Sequence, residues 1–248
     1  MSTVRKLSKD ALNVVAAPRA LQIRDGLDVE YADIYTPEAL DALKALSVFN
    51  KDQKALMEKR YARRAQRFRN REKIKFLDTT DFIPGTNIVV QDARDGKFGG
   101  SDIQPELQRQ WIQGTGPAAK PDSPTEKSIR NVAYALLSGA DGWMFDGEDA
   151  LGQITTMSLE NQRNLKLAIS KEPVFMKVAE QVADEMNAWA KKFFGHGIIQ
   201  NWRKQLDFTT KIFRCRGLHL DDRHIRDENG LALSASIVDL VLYVVNNY

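Results

Sequence analysis

Apolar residues recur at Leu40, Leu43, Leu46 and Phe49, the spacing of one helix face. Thr36 stands just ahead of them and Pro37 follows. A threonine there caps the first turn, and proline suits the first helical position because that amide has no partner anyway. The pattern therefore predicts an amphipathic helix over 37–49. A second helix is predicted over 51–75, where Leu56, Tyr61 and Phe68 sit among many charges. The pairs Pro84-Gly85, Asp95-Gly96 and Gly99-Gly100 mark turns within 78–110, around short strands such as 87–91. The rhythm changes at Trp111. A strand over 111–114 is followed by a loop holding Pro121 and Pro124, then a helix over 125–137 with Thr125 as its cap and Gly139 closing it. Trp143-Met144-Phe145 reads as a short buried strand that runs into Asp146-Gly147-Glu148-Asp149. Helices over 158–169 and 174–194, a strand over 211–218 and a last helix over 234–246 complete the chain. From 111 onward the order is strand, helix, strand, helices, strand, helix, which favours a parallel sheet with right-handed crossovers.

Composition narrows the class. The chain has 248 residues, 43% hydrophobic and 28% charged, with one cysteine. These values exclude a disordered tail, a collagen and a disulfide-stapled mini-protein. A lone Cys215 forms neither an internal bridge nor a thiolate cluster, so a reducing, cytoplasmic setting is expected. No apolar run reaches the roughly 18 residues that span a bilayer, so no membrane partner is expected. The longest apolar face, 237–245, is interrupted by Asp239. The first 25 residues lack the compact hydrophobic stretch of a secretory signal. The net charge of +3 conceals a basic segment over 51–75, with eleven Lys or Arg against Asp52, Glu58 and Glu72. Such a helix can track phosphates, or it can be a solvated helix that buries only its aliphatic stems. No aromatic platform or base-reading motif accompanies it, so the solvated reading is preferred and a nucleic-acid partner is not expected. A nucleic-acid-binding module using 51–75 stays as the alternative of a different class.

Two strand ends carry candidate chemistry, because parallel α/β folds place working groups at the C-terminal ends of strands. Asp146, Glu148 and Asp149 crowd three carboxylates after an apolar strand. They suit a divalent cation, hydrogen bonds to a substrate, or a solvated, acid-capped turn. Arg214 and Arg216 fall on one face of the strand Phe213-Arg214-Cys215-Arg216-Gly217. Each needs a partner, either one of those acids or an anionic substrate. Arg216, just before Gly217 where the chain turns, is the one expected to serve structure. Gly114-Thr115-Gly116-Pro117 offers backbone amides to an anion, without the spacing of a nucleotide-binding fingerprint. His219 and His224, beside Asp221 and Asp222, read as a polar loop. Cys215 reads as a small core residue.

In their order and spacing these pieces resemble malate synthase of the shorter isoform type, within the citrate lyase/aldolase barrel superfamily. The resemblance runs from about residue 30 to 248. It is carried by Tyr35-Thr36-Pro37-Glu38-Ala39-Leu40, Gly114-Thr115-Gly116-Pro117, a helix with Arg130, Ser138-Gly139-Ala140, and Trp143-Met144-Phe145-Asp146-Gly147-Glu148-Asp149. It continues through Glu160-Asn161-Gln162-Arg163-Asn164-Leu165, Phe213-Arg214-Cys215-Arg216-Gly217-Leu218-His219-Leu220, Ser236-Ile237-Val238-Asp239-Leu240 and Asn246-Asn247-Tyr248. It implies a (β/α)8 barrel behind an N-terminal helical segment, and Mg2+-assisted condensation of glyoxylate with acetyl-CoA to malate and CoA. On this resemblance Arg214 is the catalytic arginine. Asp146, Glu148 and Asp149 are outer partners of the metal or substrate, and Gly114, Thr115 and Gly116 are a possible anion or CoA contact. The family's Asp-Phe-Glu-Asp-Ser appears here as Asp146-Gly147-Glu148-Asp149-Ala150. Its Gly-Leu-Asn-x-Gly-x-Trp-Asp-Tyr motif, which holds a principal metal ligand, does not occur, so the main ligands are expected beyond Tyr248. The rival within the superfamily is another Mg-dependent C–C lyase acting on CoA thioesters or 2-oxo acids.

Length then sets the fold expectation. About 250 residues suit a whole barrel, yet 1–110 are spent before the barrel pattern begins. The expectation is an α/β protein with a partial (β/α)8 barrel: an N-terminal helical and irregular region over 1–110, then about three barrel strands over 111–248. Such a fragment is expected to be inactive by itself and to expose apolar surface on its last strand and helix.

Overall fold

A computed structural model describes residues 21–24, 26–114, 123–147 and 156–248. The protein is a mixed α/β structure with two small three-stranded sheets and no closed barrel among these residues. The first elements are a two-residue strand β1 (Gln22–Ile23), a single helical turn α1 (Leu27–Glu30) and helix α2 (Pro37–Leu46). The Thr36 hydroxyl accepts the Ala39 amide at 3.3 Å and Pro37 opens the helix, the arrangement the sequence anticipates. A cap of this kind is worth about 1 kcal/mol. The apolar pattern continues to Phe49 because 47–49 form a tighter 3-10 turn that leads into α3 (Asn50–Arg69).

Helix α3 is shorter than the 51–75 the sequence suggests. It stops at Asn70 because Arg71 takes a left-handed conformation (φ 52°), which lets the amides of Arg71 and Glu72 bond back to the Phe68 and Arg67 carbonyls. Only Asn50 and Met57 of α3 are buried, while Leu56, Tyr61 and Phe68 are exposed. It is therefore a largely solvated basic helix. The strand expected over 87–91 is not formed. A single bridge joins Phe82 to Val89, and the chain turns at once into a short helix, α4 (Val90–Arg94).

From residue 111 the elements follow the predicted order. Strand β2 (Trp111–Gly114) leads to α5 (Thr125–Leu137), β3 (Gly142–Asp146), α6 (Met157–Ile169), α7 (Pro173–Phe194), α8 (Trp202–Phe208) and β4 (Thr210–Arg214). Thr125 is the first helical residue of α5, not its cap; Pro124 holds the cap position without a side-chain bond. Strands β2, β3 and β4 lie parallel in that order. Gly142 is demanded by the register: an added Cβ would lie 2.3 Å from the Trp111 ring on the neighbouring strand.

Strand β4 ends at Arg214 rather than 218, since 215–218 leave the sheet to start a hairpin. That hairpin, β5 (Asp221–Arg226) and β6 (Ala232–Ser234), is antiparallel and is extended by β1. The stretch read as a polar loop around His219 and His224 is thus in part a strand, with Asp222 and His224 turned inward and Asp221 and Arg223 outward. The final helix, α9 (Ala235–Asn247), joins two apolar clusters. Ile129, Val132 and Leu136 of α5 pack with Trp143, Phe145 and the Phe175, Val178 and Val182 face of α7. Tyr31, Ile34 and Leu43 pack with Ile225, Leu233, Val238 and Leu242. Helix α9 still exposes Leu240 and Val244, and β4 exposes Ile212. Among the described residues no helix is long and apolar enough to cross a membrane.

Candidate functional site

The sheet's parallel register places Asp146 directly beside Arg214, each the last residue of its strand. Stacked rings bridge the two strands just before this pair. Phe145 on β3 stacks on Phe213 of β4 (ring centroids 5.2 Å apart, planes within 9°), and Phe213 stacks in turn on Tyr243 of α9 at 4.7 Å. Phe145 and Phe213 directly precede Asp146 and Arg214 in their strands. Arg214 Nη1 donates to Asp146 Oδ2 at 2.9 Å, and the Gln113 side-chain amide donates to the same oxygen. The Asp146 carboxylate is 1% exposed, whereas the Arg214 side chain is 40% exposed. The geometry is that of a buried acid orienting a guanidinium whose other side reaches solvent. A planar guanidinium held this way can meet a carboxylate or an enolate oxygen with fixed direction.

Gly147 follows Asp146 and donates its amide to the Arg214 carbonyl at 2.9 Å. An added Cβ there would lie 2.7 Å from that oxygen, so the close approach of β3 and β4 accounts for glycine at this position. Gly114 has a comparable constraint, because a Cβ would fall 2.6 Å from the buried Trp143 Nε1. Glu148, Asp149, Thr115 and Gly116 lie outside the described residues.

Arg216 has a different task. It is buried, and its guanidinium bonds Asp239 of α9 (Nη2 to Oδ1, 2.8 Å) and Asp222 of β5 (Nη2 to Oδ2, 2.7 Å), while its backbone amide donates to Asp239 Oδ2 at 2.9 Å. Burial works against its charge, yet Asp239 and Asp222 more than offset this and hold the guanidinium protonated above its ordinary range. It is a structural ion pair tying the hairpin to the last helix. The sequence does not show Asp239 and Asp222 to be its partners. The signal for the first was present: a lone acid interrupting the apolar face over 237–245.

Cys215 lies between the two arginines. Burial, followed by the nearby Asp239 charge, pushes its thiol up to about 11. The thiolate is the reactive form, so alkylation by iodoacetamide at pH 8 is expected to run at least about tenfold slower than for an exposed thiol. A rate equal to that of free cysteine would contradict this. Among the described residues no group of three His, Cys, Asp or Glu side chains could hold a metal ion.

Comparison with known proteins supplies the remaining finding. No family model matches the chain. It is 28% identical to the glyoxysomal malate synthase of Zea mays over 234 residues, 94% of this chain and 35% of that protein. It is 29% identical to malate synthase of Arabidopsis thaliana over 237 residues, 95% of this chain and 35% of that protein. To malate synthase of Streptomyces clavuligerus it is 28% identical over 178 residues, 72% of this chain and 28% of that protein. The chain spans about a third of the length of the plant relatives it matches. Along nearly its whole length, then, the chain is similar to about a third of the length of the plant malate synthases.

Proposed function

We propose that the chain supplies the arginine-bearing part of a malate synthase-type site, which in the whole protein condenses glyoxylate with acetyl-CoA to malate and CoA. The observation that supports this most directly is the Asp146–Arg214 pair at the C-terminal ends of adjacent parallel strands. In the proposed reaction a carboxylate base takes a proton from the acetyl methyl, and the enolate carbon attacks the glyoxylate aldehyde. Water then cleaves the thioester and releases CoA. Arg214 faces the negative charge that develops on the enolate and alkoxide oxygens, and Asp146 keeps the guanidinium oriented toward it. Arg214 is thus the catalytic residue and Asp146 its positioning partner. Glu148 and Asp149 are proposed as further acidic partners, and Gly114, Thr115 and Gly116 as an anion or CoA contact.

The parallel β2–β3–β4 sheet is proposed as the opening part of a (β/α)8 barrel over 111–248, with 1–110 as its lead-in. Its strand order is sequential and its crossovers are helical, as such a barrel requires. The single cysteine suits a reducing compartment such as the cytoplasm. Magnesium does not fit the described residues taken by themselves, since Asp146 already serves Arg214 and Gln113 and no acidic cluster accompanies it. No step is therefore assigned to a metal held by them.

The test is a chimera in which this chain replaces the matching third of the Zea mays relative, assayed by thiol release from acetyl-CoA with glyoxylate. Arg214→Gln is expected to lower kcat by about 10²–10³-fold. Arg214→Lys, which keeps the charge and loses the planar fork, should recover little of it. An Arg214→Gln chimera with unchanged kcat would overturn the reading. So would malate formation by the 248-residue chain by itself, which is expected to be inactive. Replacing glyoxylate with other 2-oxo acids in the same assay separates this reading from that of another C–C lyase.

A further inference from the structure

Strands β2, β3 and β4 each send one polar side chain to the same end of the sheet: Gln113, Asp146 and Arg214. Alternation along each strand puts these on one face, while Ile112, Trp143, Phe145 and Phe213 turn to the apolar cluster on the other. Gln113 stands beside Met144, two residues short of Asp146. Its side chain therefore spans roughly 7 Å along the strand direction. Glutamine is long enough for this, and its amide donates to Asp146 Oδ2, the oxygen that also accepts from Arg214. Gln113 is itself exposed, so core packing makes no demand for glutamine there.

The last torsion of an aspartate is broad and roughly two-fold. A carboxylate gripped from one side can pivot about it and carry its partner along. Asp146 is gripped from both sides, by β2 through Gln113 and by β4 through Arg214. The amide is neutral, so it fixes the carboxylate without competing with the guanidinium for its charge. The Arg214 side chain is 40% exposed, so packing alone does not fix its direction. We propose that Gln113 is a positioning residue, which holds Arg214 in its working direction by fixing the Asp146 carboxylate. What that direction is used for rests on the malate synthase-type reading.

Two experiments test the proposal and that reading separately. In the 248-residue chain with isotope-labelled arginine, the Arg214 Nε–H signal is identified by its absence in Arg214→Gln. Its order parameter is expected near about 0.8, falling below about 0.6 in Gln113→Met, which keeps the length and removes the donor. Gln113→Asn, one methylene too short, should fall as far. An unchanged order parameter in Gln113→Met overturns the proposal whatever the kinetics show. In the chimera with the Zea mays relative, Gln113→Met should lower kcat about tenfold, the worth of one hydrogen bond, and leave the glyoxylate KM within about twofold. In an Asp146→Ala background the same change should alter kcat by less than about twofold, because Gln113 acts only through that acid. Additive losses, or a raised KM with kcat unchanged, overturn the proposal as well. A fallen order parameter beside an Arg214→Gln chimera of unchanged kcat keeps Gln113 as a positioning residue and removes the malate synthase-type reading instead.

Discussion

Asp239→Ala is expected to destabilise the protein by about 3–5 kcal/mol, a large share of the roughly 5–15 kcal/mol by which a domain is stable. The reason lies in what is left behind. Arg216 is 6% exposed and its guanidinium donates to two carboxylates. Removing one leaves a buried cation with Asp222 as its remaining acid, and the Arg216 backbone amide loses its acceptor as well. Urea denaturation of the 248-residue chain measures the change, and a loss below about 1 kcal/mol would show that the pair contributes little. The matched control replaces all three charges, with Arg216→Met, Asp222→Asn and Asp239→Leu together. That variant should cost less than Asp239→Ala by itself, because a buried ion pair repays its desolvation only while complete.

Phe145→Ala is the second large effect, also about 3–5 kcal/mol. Phe145 is 1% exposed, meets the Trp143 ring edge-on at 5.8 Å and stacks on Phe213. Through Phe213 the stack reaches Tyr243, so one column of rings connects β3, β4 and α9. Truncation opens a cavity beneath Asp146 and Arg214, and the neighbouring rings cannot close it without shifting the strands. Phe145→Leu, which keeps most of the volume, should lose well under half as much. Similar losses for the two variants would mean that the ring column is not what holds the sheet.

The elements most legible in the sequence were those with a strong period and clear punctuation. Thr36-Pro37 marked the start of α2, Trp111–Gly114 and Gly142–Asp146 showed short apolar runs between turns, and the apolar faces of α5, α7 and α9 repeat every three or four residues. Each depends on neighbours along the chain, which the sequence displays. The misread segments depend on pairing partners or on backbone conformations that residue type does not announce. Asp221–Arg226 holds one apolar residue in six and looks like a loop, yet it becomes a strand because β6 and, some two hundred residues earlier, β1 pair with it on its two edges. Strand β4 stops at Arg214 and Arg216 leaves the sheet to bond Asp239; Gly217 hints at the turn, but nothing in 215–218 names that partner. Helix α3 ends early through the backbone conformation of Arg71, a residue seldom found with positive φ.

The same division holds for the candidate site. By itself the sequence determined that an acidic strand end and an Arg-x-Arg strand exist, and that their order resembles malate synthase. Only the tertiary structure decided which acid meets which arginine. Strand register puts Asp146 opposite Arg214, while the approach of α9 and the hairpin claims Arg216 for structure. The physical reason is that a guanidinium's role is set by burial and partners, and both are properties of packing between segments rather than of the residues that flank it.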